Sequence, residues 1–205
     1  SGRNPITFDN WNNSKILAYW KYDDATKPGK DSHSWLGRLN NIRTALQGQQ
    51  GDRRLRLGIA GGEWKKMMAD ATARTRFASE VKKIIEQYDF DGVDFDFEWP
   101  ANASEYNNYS ATVIQMRSTL GKYVYFTASL HPVSFKISPE AIDALDFISY
   151  QCYGPAVMRF PYEQFVKDAE MAVEYGIPAD KLVLGVPFIG TTGVNGEQVS
   201  YCCLL

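Results

Sequence analysis

The chain has 205 residues and a formal charge of −2, with 44% hydrophobic and 22% charged residues, an ordinary globular composition long enough for one large domain or two small ones. It holds no run of about 18 apolar residues, so no helical membrane span is expected, and 22 Lys and Arg against 24 Asp and Glu leave no basic face for nucleic acid. Eleven Phe, twelve Tyr and five Trp suit a packed core, or a surface on which flat apolar sugar faces could stack.

The opening residues SGRNPITF carry no charged-then-apolar leader. Asn-x-Ser sequons begin at Asn12, Asn102 and Asn108, which is compatible with a secreted, extracellular protein. Short apolar runs rich in β-formers then recur at 15–21 (KILAYWK), 54–60 (RLRLGIA), 92–97 (GVDFDF), 123–130 (YVYFTASL), 146–153 (DFISYQCY) and 181–188 (KLVLGVPF). Helical patterns lie between them. The stretch 34–47 reads as a helix stopped by Gly48. Phe77, Val81, Ile84, Ile85 and Tyr88 form one apolar stripe, and Tyr106, Tyr109, Val113, Met116 and Leu120 a second. Phe165, Ala169, Ala172 and Val173 form a third, ended by Gly176 and Pro178. Cys152, Cys202 and Cys203 make neither a disulfide framework nor a spaced metal motif. His33 and His131 are too far apart for an i, i+4 zinc pair, so no metal and no cofactor are expected. The end, Cys202-Cys203-Leu204-Leu205, fits a C-a-a-X prenylation pattern with no polybasic stretch before it.

Alternation of strands and helices implies an α/β fold with a parallel sheet covered by helices, and no linker divides the chain, so residues 1–205 read as one domain. About six strand-helix units fit the length of an open doubly wound sheet, but the Gly-rich turn typical of that fold after its first strand is missing. The other reading is a (β/α)8 barrel of TIM type, incomplete by about two units. Unclosed sheet edges would favour self-association.

The segment Asp91-Gly92-Val93-Asp94-Phe95-Asp96-Phe97-Glu98-Trp99-Pro100 carries the chemistry. Side chains of a strand alternate, so Val93, Phe95 and Phe97 share one face and Asp94, Asp96 and Glu98 the other, with neighbours on a face roughly 6.5–7 Å apart. An exposed edge strand would tolerate three acids in a row. In a helix-covered sheet they must project inward, where desolvation and like charge oppose ionisation, and such a row can act as a carboxylate relay that keeps one member protonated. Glu98, last in the row, stands at the C-terminal end of the strand, where α/β active sites form.

FDGVDFDFEWP resembles the D-x-x-D-x-D-x-E motif of glycoside hydrolase family 18, the chitinases and their relatives. In the family's order, 56–64 (RLGIAGGEW) is similar to the strand bearing Ser-x-Gly-Gly, 146–153 to the strand ending in Met-x-Tyr-Asp, and 182–190 (LVLGVPFIG) to the seventh strand with its Gly-x-Pro-Phe. The similarity spans the family's second to seventh strands; the first and eighth have no convincing counterpart.

The resemblance implies hydrolysis of β-1,4 bonds beside N-acetylglucosamine, in chitin or chitooligosaccharides, with the substrate's acetamido group as nucleophile. Glu98 would protonate the glycosidic oxygen, Asp96 would hold the acetamido N–H, and Asp94 would share a proton with Asp96 so that Asp96 can turn toward Glu98. Tyr153 would donate to the acetamido oxygen. Trp99, Gln151 and Trp20 are candidates for contact with sugar, and Asp91, on the opposite parity, is expected to be structural at the strand entrance. An endo-acting enzyme on N-glycans would use the same acids, and a chitin-binding protein with little turnover is the non-enzymatic reading. The family's pattern is broken in places. Gly58 or Ile59 stands where the Ser of Ser-x-Gly-Gly would be, so hydroxyl support of the Asp cluster is expected to be lost. Met-x-Tyr-Asp reads Gln151-Cys152-Tyr153-Gly154, Ile189 and Thr191 replace a Tyr and an Arg after Gly-x-Pro-Phe, and nothing follows Tyr201 to supply the eighth-strand Trp.

Overall fold

The computed structural model describes residues 35–47, 54–61, 64–154, 161–187, 189–191 and 198–200. Five strands, β1 (Arg56–Ile59), β2 (Gly92–Phe95), β3 (Tyr125–Leu130), β4 (Phe147–Gln151) and β5 (Leu182–Gly185), lie in chain order in one sheet, every pairing parallel. Each connection carries helix: α2 (Trp64–Ala69) and α3 (Ala71–Tyr88) after β1, α4 (Ala103–Leu120) after β2, α5 (Pro139–Ala144) after β3, and α6 (Tyr162–Tyr175) after β4; α1 (Trp35–Gln47) precedes the sheet. Five of the apolar runs are therefore parallel strands. The sixth, 15–21, lies outside the described residues, as do Asn12, His33, Cys202 and Cys203. Among the described residues the sheet does not close on itself. A short antiparallel pair, β6 (Ile189–Thr191) and β7 (Gln198–Ser200), forms a second sheet that no sequence pattern announces.

Local chemistry explains the helices. The Asp70 carboxylate accepts the Ala73 N–H at 2.8 Å and so caps α3. The stripe read from the sequence faces the core there, with Phe77, Val81, Ile84, Ile85 and Tyr88 all buried. Asn102, the second sequon, caps α4 by accepting the Glu105 N–H at 3.0 Å. Glu105 in turn accepts the Ala101 N–H at 2.8 Å and pairs with Lys65 of α2 at 2.7 Å, which ties two helices together at the end of the acid-bearing segment. Ser138 caps α5, with Pro139 in its first turn.

The face expected of α6 is met except at Val173. Val173 is half exposed, while Asp168 and Ala172 are buried and Phe165 is packed partly against the core. The unexpected interior residue is Asp168: Gln164 Nε2 donates to its Oδ1 at 2.8 Å, and a partnered carboxylate can sit inside where a spacing argument expects only apolar groups. No helix among the described residues is long and apolar enough to cross a membrane.

Candidate active site

The acid segment is held at its base by the backbone. Asp91 Oδ2 accepts the Leu55 N–H at 2.6 Å, the Asp91 N–H donates to Leu55 O at 2.9 Å, and Tyr125 N–H donates to Asp91 O at 3.0 Å. Asp91 thus links the entrances of β1, β2 and β3. Gly92 follows because nothing larger fits: a Cβ there would lie 2.1 Å from the Tyr125 carbonyl oxygen.

Beyond Gly92 the two parities separate. Val93, Phe95 and Phe97 are buried to 1% exposure or less. Phe95 meets Phe126 at a centroid distance of 4.8 Å and Phe97 at 5.1 Å, and Phe97 meets Trp64 of α2 at 5.8 Å. Asp94, on the other face, is paired across the sheet with Gly58 on one side and Thr127 on the other. Its Oδ2 accepts the Ser129 hydroxyl at 2.9 Å, and its Oδ1 accepts the Thr127 hydroxyl and Arg56 Nη1, the latter at 3.3 Å. Arg56 also donates to the Thr127 hydroxyl and lies 4.8 Å from the Phe147 ring centroid. Hydroxyl support of the cluster is therefore present, a correction to the expectation that the missing Ser of Ser-x-Gly-Gly removes it. The hydroxyls come from β3 rather than β1, and at Gly58 the space beside Asp94 is open: a Cβ added there would meet nothing within 4 Å.

Asp96 donates its N–H to Ile59 O at 2.8 Å, beyond the last residue of β2, and its Oδ1 accepts Gln151 Nε2 of β4 at 3.4 Å. Gln151 stands where the family has Met, and the structure brings it to Asp96. Glu98 is exposed at the mouth of the sheet, and the Glu98–Trp99 peptide is cis. Trp99 is half buried and lies against His131 at a centroid distance of 4.9 Å. Tyr153 is half buried beyond the end of β4, and Trp20 lies outside the described residues. Behind the acids, on α4, the Tyr109 hydroxyl is buried with no hydrogen-bond partner among the described residues. Burial pushes its phenol well above the ordinary value, and the charges of Asp94 and Asp96 add to the shift. Among the described residues no group of three His, Cys, Asp or Glu could hold a metal ion.

Arg56, Thr127, Ser129 and His131 are site residues that the sequence motifs do not single out. Their one local signal is parity: 127, 129 and 131 alternate with the buried Phe126, Ala128 and Leu130, so they must face the acids once β3 pairs with β2.

Several solved chitinases share this parallel strand-helix arrangement. One from Bacteroides thetaiotaomicron matches with a TM-score of 0.71 at 18% identity, covering 83% of this chain and 60% of that one. A class V chitinase from Nicotiana tobaccum in complex with NAG4 matches with a TM-score of 0.62 at 17% identity, covering 85% of this chain and 64% of that one. The chain belongs to the glycosyl hydrolases family 18, whose profile matches residues 6–200. Chitinase B of Serratia marcescens is 33% identical over 70% of this chain and 41% of its own length. The chain spans less than half the length of the curated relatives it matches.

Proposed function

We propose that residues 1–205 act as one glycosidase domain, secreted to its polymer substrate, that hydrolyses chitin or chitooligosaccharides by substrate-assisted, retaining catalysis. The observation that carries the reading is the pairing of one face of 93–98 with the core while Asp94, Asp96 and Glu98 follow each other on the opposite parity, with Gln151 reaching Asp96 from β4.

Glu98 gives its proton to the glycosidic oxygen as the C1–O bond breaks. The acetamido carbonyl oxygen of the sugar attacks C1 and forms a cyclic oxazolinium, whose positive charge Asp96 stabilises while accepting the acetamido N–H. Tyr153 donates its hydroxyl to the acetamido oxygen. Water then attacks C1, passes a proton to the Glu98 carboxylate and leaves the product with its original configuration. Asp94, fastened by Thr127, Ser129 and Arg56, is the fixed end of the row, and Gln151 keeps Asp96 in place.

Two measurements test the reading. Glu98→Gln keeps shape but removes the donor, so turnover of a chromogenic chitotriose should fall by about 10²–10⁴-fold while binding of the oligosaccharide survives. Cellooligosaccharides lack the acetamide and should not be cleaved. Equal rates on the cello- and chito-series, or a Glu98→Gln variant as fast as the parent, overturn the proposal.

A further inference from the structure

His131 is buried to 1% exposure at the end of β3, and both of its ring nitrogens are used. Nε2 lies 2.8 Å from the carbonyl oxygens of both Tyr153 and Gly154. Two acceptors require the proton on Nε2, and Nδ1 is then bare to accept the Val133 N–H at 3.1 Å. The ring lies against Trp99, the residue after the acid. Three residues on, the Ser134 N–H closes the turn onto His131 O at 2.7 Å, and the Ser134 hydroxyl donates to Pro100 O at 2.7 Å while accepting the Tyr106 hydroxyl of α4 at 2.9 Å. One buried turn on β3 therefore grips the segment after β2 that carries Glu98 and the segment after β4 that carries Tyr153.

We infer that His131 is a positioning residue: with Ser134 it sets the separation between the acid and the phenol that meets the acetamido oxygen. The inference rests on the role proposed for Tyr153. Charge develops on the acetamido group as the ring closes, so a shift of Tyr153 weakens the transition state more than the bound substrate. Loss of His131 should therefore fall on kcat.

The experiment is a cycle of His131→Phe and Tyr153→Phe, with His131→Gln as the conservative variant. Phe keeps an aromatic ring against Trp99 but loses every polar tie, whereas Gln keeps an amide donor. His131→Phe should lower kcat by roughly 10–100-fold with KM within about threefold, and His131→Gln should stay within about fivefold of the parent. In the Tyr153→Phe background the same His131→Phe change should cost less than about twofold, because the two residues act as one unit. An equal loss in both backgrounds, or a loss borne by KM, overturns the inference. Ser134→Ala cuts the hydroxyl's ties to Pro100 and Tyr106 and leaves the His131 ring in place, so it answers for a His131→Phe chain that does not fold: kcat should drop roughly 3–10-fold, and an unchanged kcat overturns it. A parent chain inactive on chitooligosaccharides would sink the proposed function instead, and amide hydrogen exchange then decides the positioning role. Amides 152–154 should exchange at least about tenfold faster in His131→Phe than in His131→Gln, with α3 unchanged. Equal exchange at 152–154 in the two variants overturns it.

Discussion

On the helix side of the acid segment, Phe95 lies among Phe77, Phe97, Tyr109 and Phe126; on the other side, one residue away, Asp94 takes hydrogen bonds from Thr127, Ser129 and Arg56. The first environment is apolar and close-packed, with Phe77 and Tyr109 supplied by helices. The second is polar and supplied entirely by neighbouring strands. A single strand thus separates two kinds of damage. A change on the helix side should be read by unfolding, and a change on the acid side by rate as well, so measuring both for each variant breaks the comparison or sharpens it.

The largest expected effect on stability lies on the helix side. Phe95→Ala empties a fully buried aromatic site and should cost about 3–5 kcal/mol in urea unfolding; a loss under about 1 kcal/mol would mean that the cluster can collapse around the gap. Next comes Thr127→Val on the acid side. It keeps the shape but removes the hydroxyl between Arg56 and Asp94, and a bond to a charged group is worth about 1.5–3 kcal/mol. Here kcat should fall together with stability, which distinguishes this face from the other. An unchanged kcat would detach Asp94 from the reaction.

Tyr109→Phe probes the boundary between the faces. It removes a buried hydroxyl that has no partner among the described residues, so stability at neutral pH should hold or rise by about 1 kcal/mol. The phenol is raised by burial in the folded chain, so its contribution is complete below the ordinary value near 10 and is lost as pH climbs above it. The parent should weaken above about pH 10, and the Phe variant should weaken less in alkaline unfolding scans. The smallest effect is expected at Glu105, whose carboxyl is held below its usual range by Lys65 and then by the Ala101 N–H. Stability from this group is present above the ordinary carboxylate value and lost as pH falls through the lowered one. Glu105→Gln should cost under about 1 kcal/mol at neutral pH and flatten the acid limb of the unfolding midpoint.

What is legible in the sequence is what depends on near neighbours. The stripes of α3 and α4 follow a 3.6-residue period, and the faces of 93–97 follow a period of two, so both can be read without knowing any partner. The support of Asp94 cannot. It depends on the register that sets Asp94 beside Thr127, a pairing between residues far apart in the chain, and the Ser-x-Gly-Gly strand points to β1 when the donors sit on β3. The sequence gives His131 no role once a zinc pair with His33 is set aside, because its acceptors are carbonyls that no side-chain pattern reveals. On α6, apolar spacing places Phe165 and Ala172 but gives no sign of Asp168, a carboxylate that sits inside with its own partner.

Gly92 has a consequence for anyone who reads tolerance from function. A side chain there would collide with the Tyr125 carbonyl and force β2 away from β3, so the site behaves as a gauge of strand spacing. A screen scored by activity would rank positions 92 and 98 as equally unforgiving. Soluble yield would separate them, since one holds two strands at working distance and the other carries only the role proposed for it in the reaction.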